Sequence, residues 1–154
     1  MKMELKSSPQ LIQDLTGYRG KIYFGVPRDT TIRHTGKVKR IDNATILAIM
    51  EHGSPVKNIP PRPLLKPVLN KHKDKILEIF GKVYAMLLAG DEQGADRELD
   101  ILAQRVQRWT QEFFTEDNGW APNAPSTIRR KGSDKPLIDT GSLRQSIRGI
   151  FVKK

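Results

Sequence analysis

Near the end of the sequence, Asp139-Thr140-Gly141 follows the apolar pair Leu137 and Ile138 and leads into Ser142. This pattern raises the chemistry of an aspartic protease, in which two Asp-Thr-Gly turns bring two carboxylates together to share a proton and activate water. The sequence holds one copy, so such a site would require a dimer. Only Ser142 to Lys154 follow the motif, too little to supply a flap and closing segments. The other use of these residue types is structural. Asp139 and Thr140 can offer side-chain oxygens to nearby backbone N–H groups, and Gly141 permits a tight turn. A dimeric protease acting through Asp139 is therefore the lesser alternative, and no residue is assigned a catalytic role.

Other chemistry has less to build on. His34, His52 and His72 are far apart, and none forms a close ligand pair such as H-E-x-x-H. There is no G-x-x-x-x-G-K-[ST] loop to cradle a nucleotide phosphate. Cysteine is absent, which removes disulfides and thiolate metal sites. No cofactor, metal or enzymatic activity is expected.

The 154 residues carry a net charge of +10 and are 37% apolar, enough for one domain with a modest core. The sequence is read as a single structural domain over 1–154. No window approaches the roughly 20 apolar residues of a membrane span, and the first ten residues lack the apolar run of a signal peptide. The charge implies an acidic partner: nucleic acid, a membrane surface or an acidic protein. Two basic loop segments supply candidate phosphate contacts: Arg33, Lys37, Lys39 and Arg40 in the first, Arg129 and Arg130 in the second. No basic helix suited to entering a groove accompanies them, so sequence-specific readout is not expected.

These residues must be positioned by an α+β fold: a small, mostly antiparallel sheet packed against an antiparallel pair of long helices, with extended loops and an arm. Ser8 and Pro9 open a short helix over 7–16. Residues 21–26 form a strand ended by Pro27. The flexible basic segment at about 28–41 is either a hairpin turning at Gly36 or an arm. Asn43 caps a helix over 42–53, with Ile46, Ile49 and Met50 on its apolar face, a strand being the competing reading. Pro55, Pro60, Pro61, Pro63 and Pro67 impose a stiff extended approach to the next helix. That helix runs from about Pro63 to Ala89, with a solvated turn at Lys71 to Lys75, and Gly90 closes it. A second spans about Ala95 to Phe114, with Leu99, Leu102, Ala103, Val106, Trp109 and Phe113 on one stripe. An extended loop covers about 115–136, and Leu143, Ile147 and Phe151 alternate in a final strand beside 21–26.

Three pieces together resemble a known family: residues 48–70, residues 119–147, and the helix pair between them. The first carries Glu51, His52 and Gly53, then Ile59-Pro60-Pro61-Arg62-Pro63 leading into a helix. The second carries Trp120, Pro122, Thr127, Lys131 and Gly132. It continues with Pro136, Leu137, Asp139, Thr140, Gly141, Leu143 and Ser146. The pattern is similar to the neck, or head-to-tail joining, proteins of tailed bacteriophages, also called virion morphogenesis or tail completion proteins.

The resemblance implies a structural virion protein made in the host bacterial cytoplasm. It would form a homo-oligomeric ring of six or twelve copies that joins the portal, adaptor or head-completion proteins to the tail terminator or tail tube. Non-specific contact with packaged DNA is implied, and no membrane. Subunit or partner contacts are expected at Ile59, Pro60, Pro61, Arg62, Pro63, Trp120, Thr127, Lys131, Asp139, Thr140 and Gly141. A basic DNA-binding accessory protein is the main alternative function.

Overall fold

The longest amphipathic stretch of the sequence becomes the longest helix. In the computed structural model, which describes residues 17–27, 32–35, 38–132, 134 and 141–154, Glu92–Phe113 is a single α-helix. Its buried positions include Ala95, Leu99, Leu102, Ala103, Val106, Thr110 and Phe113, which recur every three or four residues along one stripe. Each large aliphatic side chain on it contributes about 1.5–3 kcal/mol by leaving water. The helix starts earlier than the apolar pattern suggests, because the Asp91 carboxylate accepts from the Gly94 N–H at 2.8 Å and caps it.

The described elements run β1 (Gly20–Gly25), β2 (Ile32–Thr35), β3 (Val38–Asp42), α1 (Asn43–His52), a 3-10 turn (Pro55–Lys57) and α2 (Leu65–Lys71). They continue with α3 (Lys73–Leu88), α4 (Glu92–Phe113), α5 (Pro125–Lys131), α6 (Ser142–Ser146) and β4 (Arg148–Lys153). The fold is α+β. The expected helix pair is α3 and α4, joined by the tight turn at Ala89 to Asp91. The turn expected near Lys71 is a break at His72 between α2 and α3.

Strands β1 and β4 pair antiparallel, with Ile22 opposite Phe151 and Tyr23 opposite Ile150. The sheet lies across the helix pair: Ile22, Phe24 and Phe151 pack on a cluster of Ile79, Val83, Leu99, Leu102 and Val106. A second cluster at the other end of α4 joins Leu47, Leu64, Val68, Phe113, Phe114, Leu143 and Ile147. Trp109 touches both.

Strand β4 runs antiparallel to α4 and is tied along it. Gln111 Nε2 donates to the Ile147 carbonyl at 3.5 Å, and the Gly149 N–H donates to Gln107 Oε1 at 2.9 Å. At the far end Lys153 Nζ reaches Glu92 at 2.9 Å and Asp96 at 3.0 Å. The Tyr18 hydroxyl also donates to Asp96, at 2.6 Å. Burial opposes ionisation of Asp96, but these two donors hold its carboxyl below the ordinary range.

Several expectations need correction. Asp42, rather than Asn43, caps α1, accepting from the Thr45 N–H at 2.7 Å. Asn43 is fully buried, and its amide donates to Ser142 Oγ at 3.1 Å and Ser146 Oγ at 3.2 Å. The α1 side chain at the core is Leu47, with Ile46, Ile49 and Met50 half-buried. The stretch expected as a loop over 115–136 contains α5, which Pro125 opens at its first turn and Gly132 ends in the left-handed region. Leu143 and Ile147 are buried on α6 and its exit, and the strand begins only at Arg148. The segment at about 28–41, read as a hairpin or an arm, contains the antiparallel pair β2–β3, which agrees with the hairpin. The helix expected over 7–16 lies outside the described residues.

Gly149 sits where β4 meets α4 most closely. A Cβ there would come far inside van der Waals contact distance of the Ala103 carbonyl oxygen. Gly149→Ala must lift the strand off the helix and should cost roughly 3 kcal/mol. Gly81→Ala, mid-helix on α3 with open space around it, should instead stabilise by about 0.5–1 kcal/mol. Urea unfolding followed by circular dichroism checks both, and equal midpoints would contradict the close-approach account.

Candidate functional site

The residues that carry the sequence pattern meet one another in space. Helix α1 ends at His52, and Gly53 turns the chain at φ +72°. A Cβ at Gly53 would lie 2.9 Å from both the Ile59 carbonyl oxygen and the Pro61 nitrogen, so the segment folds back tightly on this glycine. Ser54 and Ile59 then exchange two backbone hydrogen bonds, each 2.9 Å, and close a small loop. Val56 stands at its tip, 97% exposed. The following prolines hold the chain extended, and the Arg62 N–H donates to the Met50 carbonyl at 2.7 Å.

Arg62 is buried and reaches about sixty residues along the chain. Its Nε donates to the Ala121 carbonyl and its Nη2 to the Pro122 carbonyl, both at 3.0 Å. The guanidinium suits this because its planar fork reaches two acceptors at once. Burial pulls its pKa down from the ordinary arginine value, yet the group stays charged at any working pH. From the opposite side Trp120 Nε1 donates to the Pro63 carbonyl at 2.9 Å. Its ring packs edge-on against Phe113 and Phe114, with centroids 5.7 and 6.0 Å away. Glu51 completes the junction, accepting from the Leu64 N–H at 2.8 Å and the Leu65 N–H at 3.2 Å. It thereby supplies the cap that α2 lacks from its own N-terminal residue.

Two of these residues are among those expected at subunit or partner contacts. Arg62 and Trp120 direct these donors to carbonyls of their own chain. Ile59 is half-buried, while Pro60, Pro61 and Pro63 are exposed beside the Val56 loop. Thr127 is half-buried on α5, and Lys131 is the last residue of that helix. Gly141, at φ +75°, precedes α6. Asp139 and Thr140, and with them the protease alternative, lie outside the described residues.

Among the candidate phosphate contacts, Arg129 and Arg130 are exposed on α5. Arg33 lies on β2, Lys39 and Arg40 on β3, and Lys37 lies outside the described residues. The histidines remain apart: His34 on β2, His52 exposed at the end of α1, and His72 stacked on Trp109 with centroids 4.0 Å apart. Burial, then Lys71 and Lys75, lower the His72 pKa below the ordinary value. Among the described residues no group of three or more His, Asp or Glu could hold a metal. No helix there is long and apolar enough to cross a membrane.

Two surfaces escaped the sequence reading. One is a shallow charged groove between α3 and α4, where Lys75, Lys82, Arg105 and Arg108 stand with Glu78 and Glu112. Its Lys82–Glu78 and Arg108–Glu112 pairs are 2.8 and 2.9 Å long and solvent-facing, so they contribute little. The other is apolar. Leu77, Phe80, Tyr84 and Leu88 are exposed along α3, a second stripe interleaved with the buried one. The i, i+3, i+7, i+11 spacing was the available signal.

Replacing Arg62 with Met keeps most of the volume but removes both guanidinium donors from the Ala121 and Pro122 carbonyls. The expected cost is about 2–4 kcal/mol, read as a lower urea midpoint at unchanged slope. Arg62→Lys should not restore it, since an ammonium lacks the fork. A wild-type midpoint for either variant would place Arg62 outside the framework. Comparisons of the chain with protein-family models, curated proteins and solved structures found no match.

Proposed function

We propose that the chain is a structural protein of a tailed-bacteriophage neck, a subunit of a ring that joins head to tail. The observation that carries this reading is the mutual locking of the two sequence segments on which the resemblance rests. Arg62 with Ala121 and Pro122, and Trp120 with Pro63, make the matched residues one framework rather than the lining of a cleft. Residues used in this way hold a shape, and a shape with exposed apolar faces serves assembly. Those faces are present on α3 at Leu77, Phe80 and Tyr84, and on the β1–β4 sheet at Tyr23, Ile150 and Val152.

The net charge of +10 suits a position next to packaged DNA or acidic neighbours. Arg129 and Arg130 and the basic β2–β3 pair would supply phosphate contacts without base readout. In this role the prolines of 55–63 limit the entropy lost when the Val56 loop meets a neighbour.

Removing the gene from its phage should yield filled heads and separate tails, and a supplied copy should restore joined particles. Electron microscopy of purified particles should place the subunit at the junction between head and tail. Normal joined particles without the gene, or absence of the subunit from mature particles, would overturn the reading.

A further inference from the structure

Charge and apolar surface are distributed unevenly over this basic chain. The ten residues Asp91 to Asp100 hold five carboxylates and one arginine, at the end of the helical hairpin where α3 turns into α4; Lys153 pairs with Glu92 and Asp96, and the end stays net acidic. The exposed stripe of α3 runs up to this acidic end, from Leu77, 56% exposed, through Phe80 and Tyr84, 58% exposed, to Leu88. A groove of about 460 Å³ lies beside it, with Phe80 and Tyr84 on one wall and Tyr18 and Phe151 on the other.

The outward face of the β1–β4 sheet is the opposite in sign. The register places Tyr23 against Ile150 and Lys21 against Val152. Tyr23 is 54% and Ile150 48% exposed, with Val152 beside them. Lys21 and Arg148 flank this apolar centre at either end, both exposed. The sheet face therefore has an apolar middle with a basic rim, and the helix face an apolar stripe with an acidic end.

We propose that these two faces bind each other between copies: the α3 stripe and acidic hairpin end of one subunit dock on the outward β1–β4 face of the next. This rests on the reading above that the chain assembles with itself, and it names the surfaces that do so. A second copy is the occupant favoured because each face supplies what the other lacks in charge, and both are apolar at the centre. The faces lie on different elements and are not self-complementary, so the contact is head-to-tail and propagates from copy to copy until it closes. Each face offers on the order of 300–400 Å² of exposed apolar side chain, given the size of these residues. That is below the roughly 800 Å² per partner of a stable pair. A single contact is therefore weak, and closure, which gives every copy two contacts, stabilises the ring.

The test uses two full-length variants, Tyr84→Asp on the stripe and Ile150→Asp on the sheet, with Tyr84→Gln and Ile150→Thr as milder substitutions. Circular dichroism must first match wild type. In sedimentation velocity over a concentration series, wild type should associate and do so less as salt rises. Each variant alone should remain a monomer. At the highest concentrations their equimolar mixture should form a one-to-one dimer, weaker than wild-type association and never larger, because only one intact pair of faces exists; a mixture no more associated than either variant alone would overturn the proposal. Dimerisation of the Ile150→Asp variant alone would mean that stripe meets stripe and would overturn the proposal. So would wild-type association untouched by either change, or a wild type that stays monomeric throughout. None of these bears on whether the protein sits in the virion, which particle microscopy decides separately.

Discussion

The packing of β4 against α4 is the contact on which the other parts depend. It requires a strand without a side chain at Gly149, where the backbone meets the Ala103 carbonyl, and it fixes the register of the whole C-terminal segment. Gln111, Gln107 and the Glu92–Asp96 pair then meet Ile147, Gly149 and Lys153 in turn. Since β1 pairs only with β4 among the described strands, its place on the helix pair follows from the same contact. Both apolar clusters are built on the two ends of α4, with Trp109 between them. A helix with one continuous apolar face thus organises two cores that neither its neighbours nor the sheet could form alone.

The proline-rich segment is held by a different kind of interaction. Extended backbone without helix or sheet partners leaves its carbonyls to be satisfied by side chains. Trp120 serves Pro63, and the Arg62 fork serves Ala121 and Pro122. Glu51 meanwhile orders the start of α2. The interior is therefore polar as well as apolar at this junction, and among the described residues no buried side-chain nitrogen or oxygen lacks a partner. Exposed apolar side chains lie elsewhere, on α3 and on the outward β1–β4 face.

Much of this architecture was legible in the sequence because it rests on local periodicity. The α3–α4 pair, the break near Lys71, the strand at 21–26 and its pairing with the C-terminal strand follow from spacing and breaker residues. What was not legible depends on contacts distant in sequence. Leu143 and Ile147 are four residues apart, a spacing that suits α6 as well as a strand, and only the depth of the pocket they fill decides. Asn43 has the chemistry of a cap, but partners a hundred residues away draw it inward while Asp42 caps. Arg62 and Trp120 carried a recognisable pattern, yet nothing local reveals that their acceptors are carbonyls of the same chain. On α3 two apolar stripes coexist, and periodicity cannot say which one a neighbouring element covers.

The central claim is the proposed division of labour: the patterned residues hold the chain's shape from within, while α3 and the outward β1–β4 face would meet other copies. Hydrogen exchange compared between assembled and dissociated protein tests it most directly, since assembly protects only the amides it covers. The account predicts that protection rises along 77–88, 20–25 and 148–153, and stays unchanged at 62–65 and 119–123. A rise confined to 62–65 and 119–123, with none on α3 or the sheet, would contradict it.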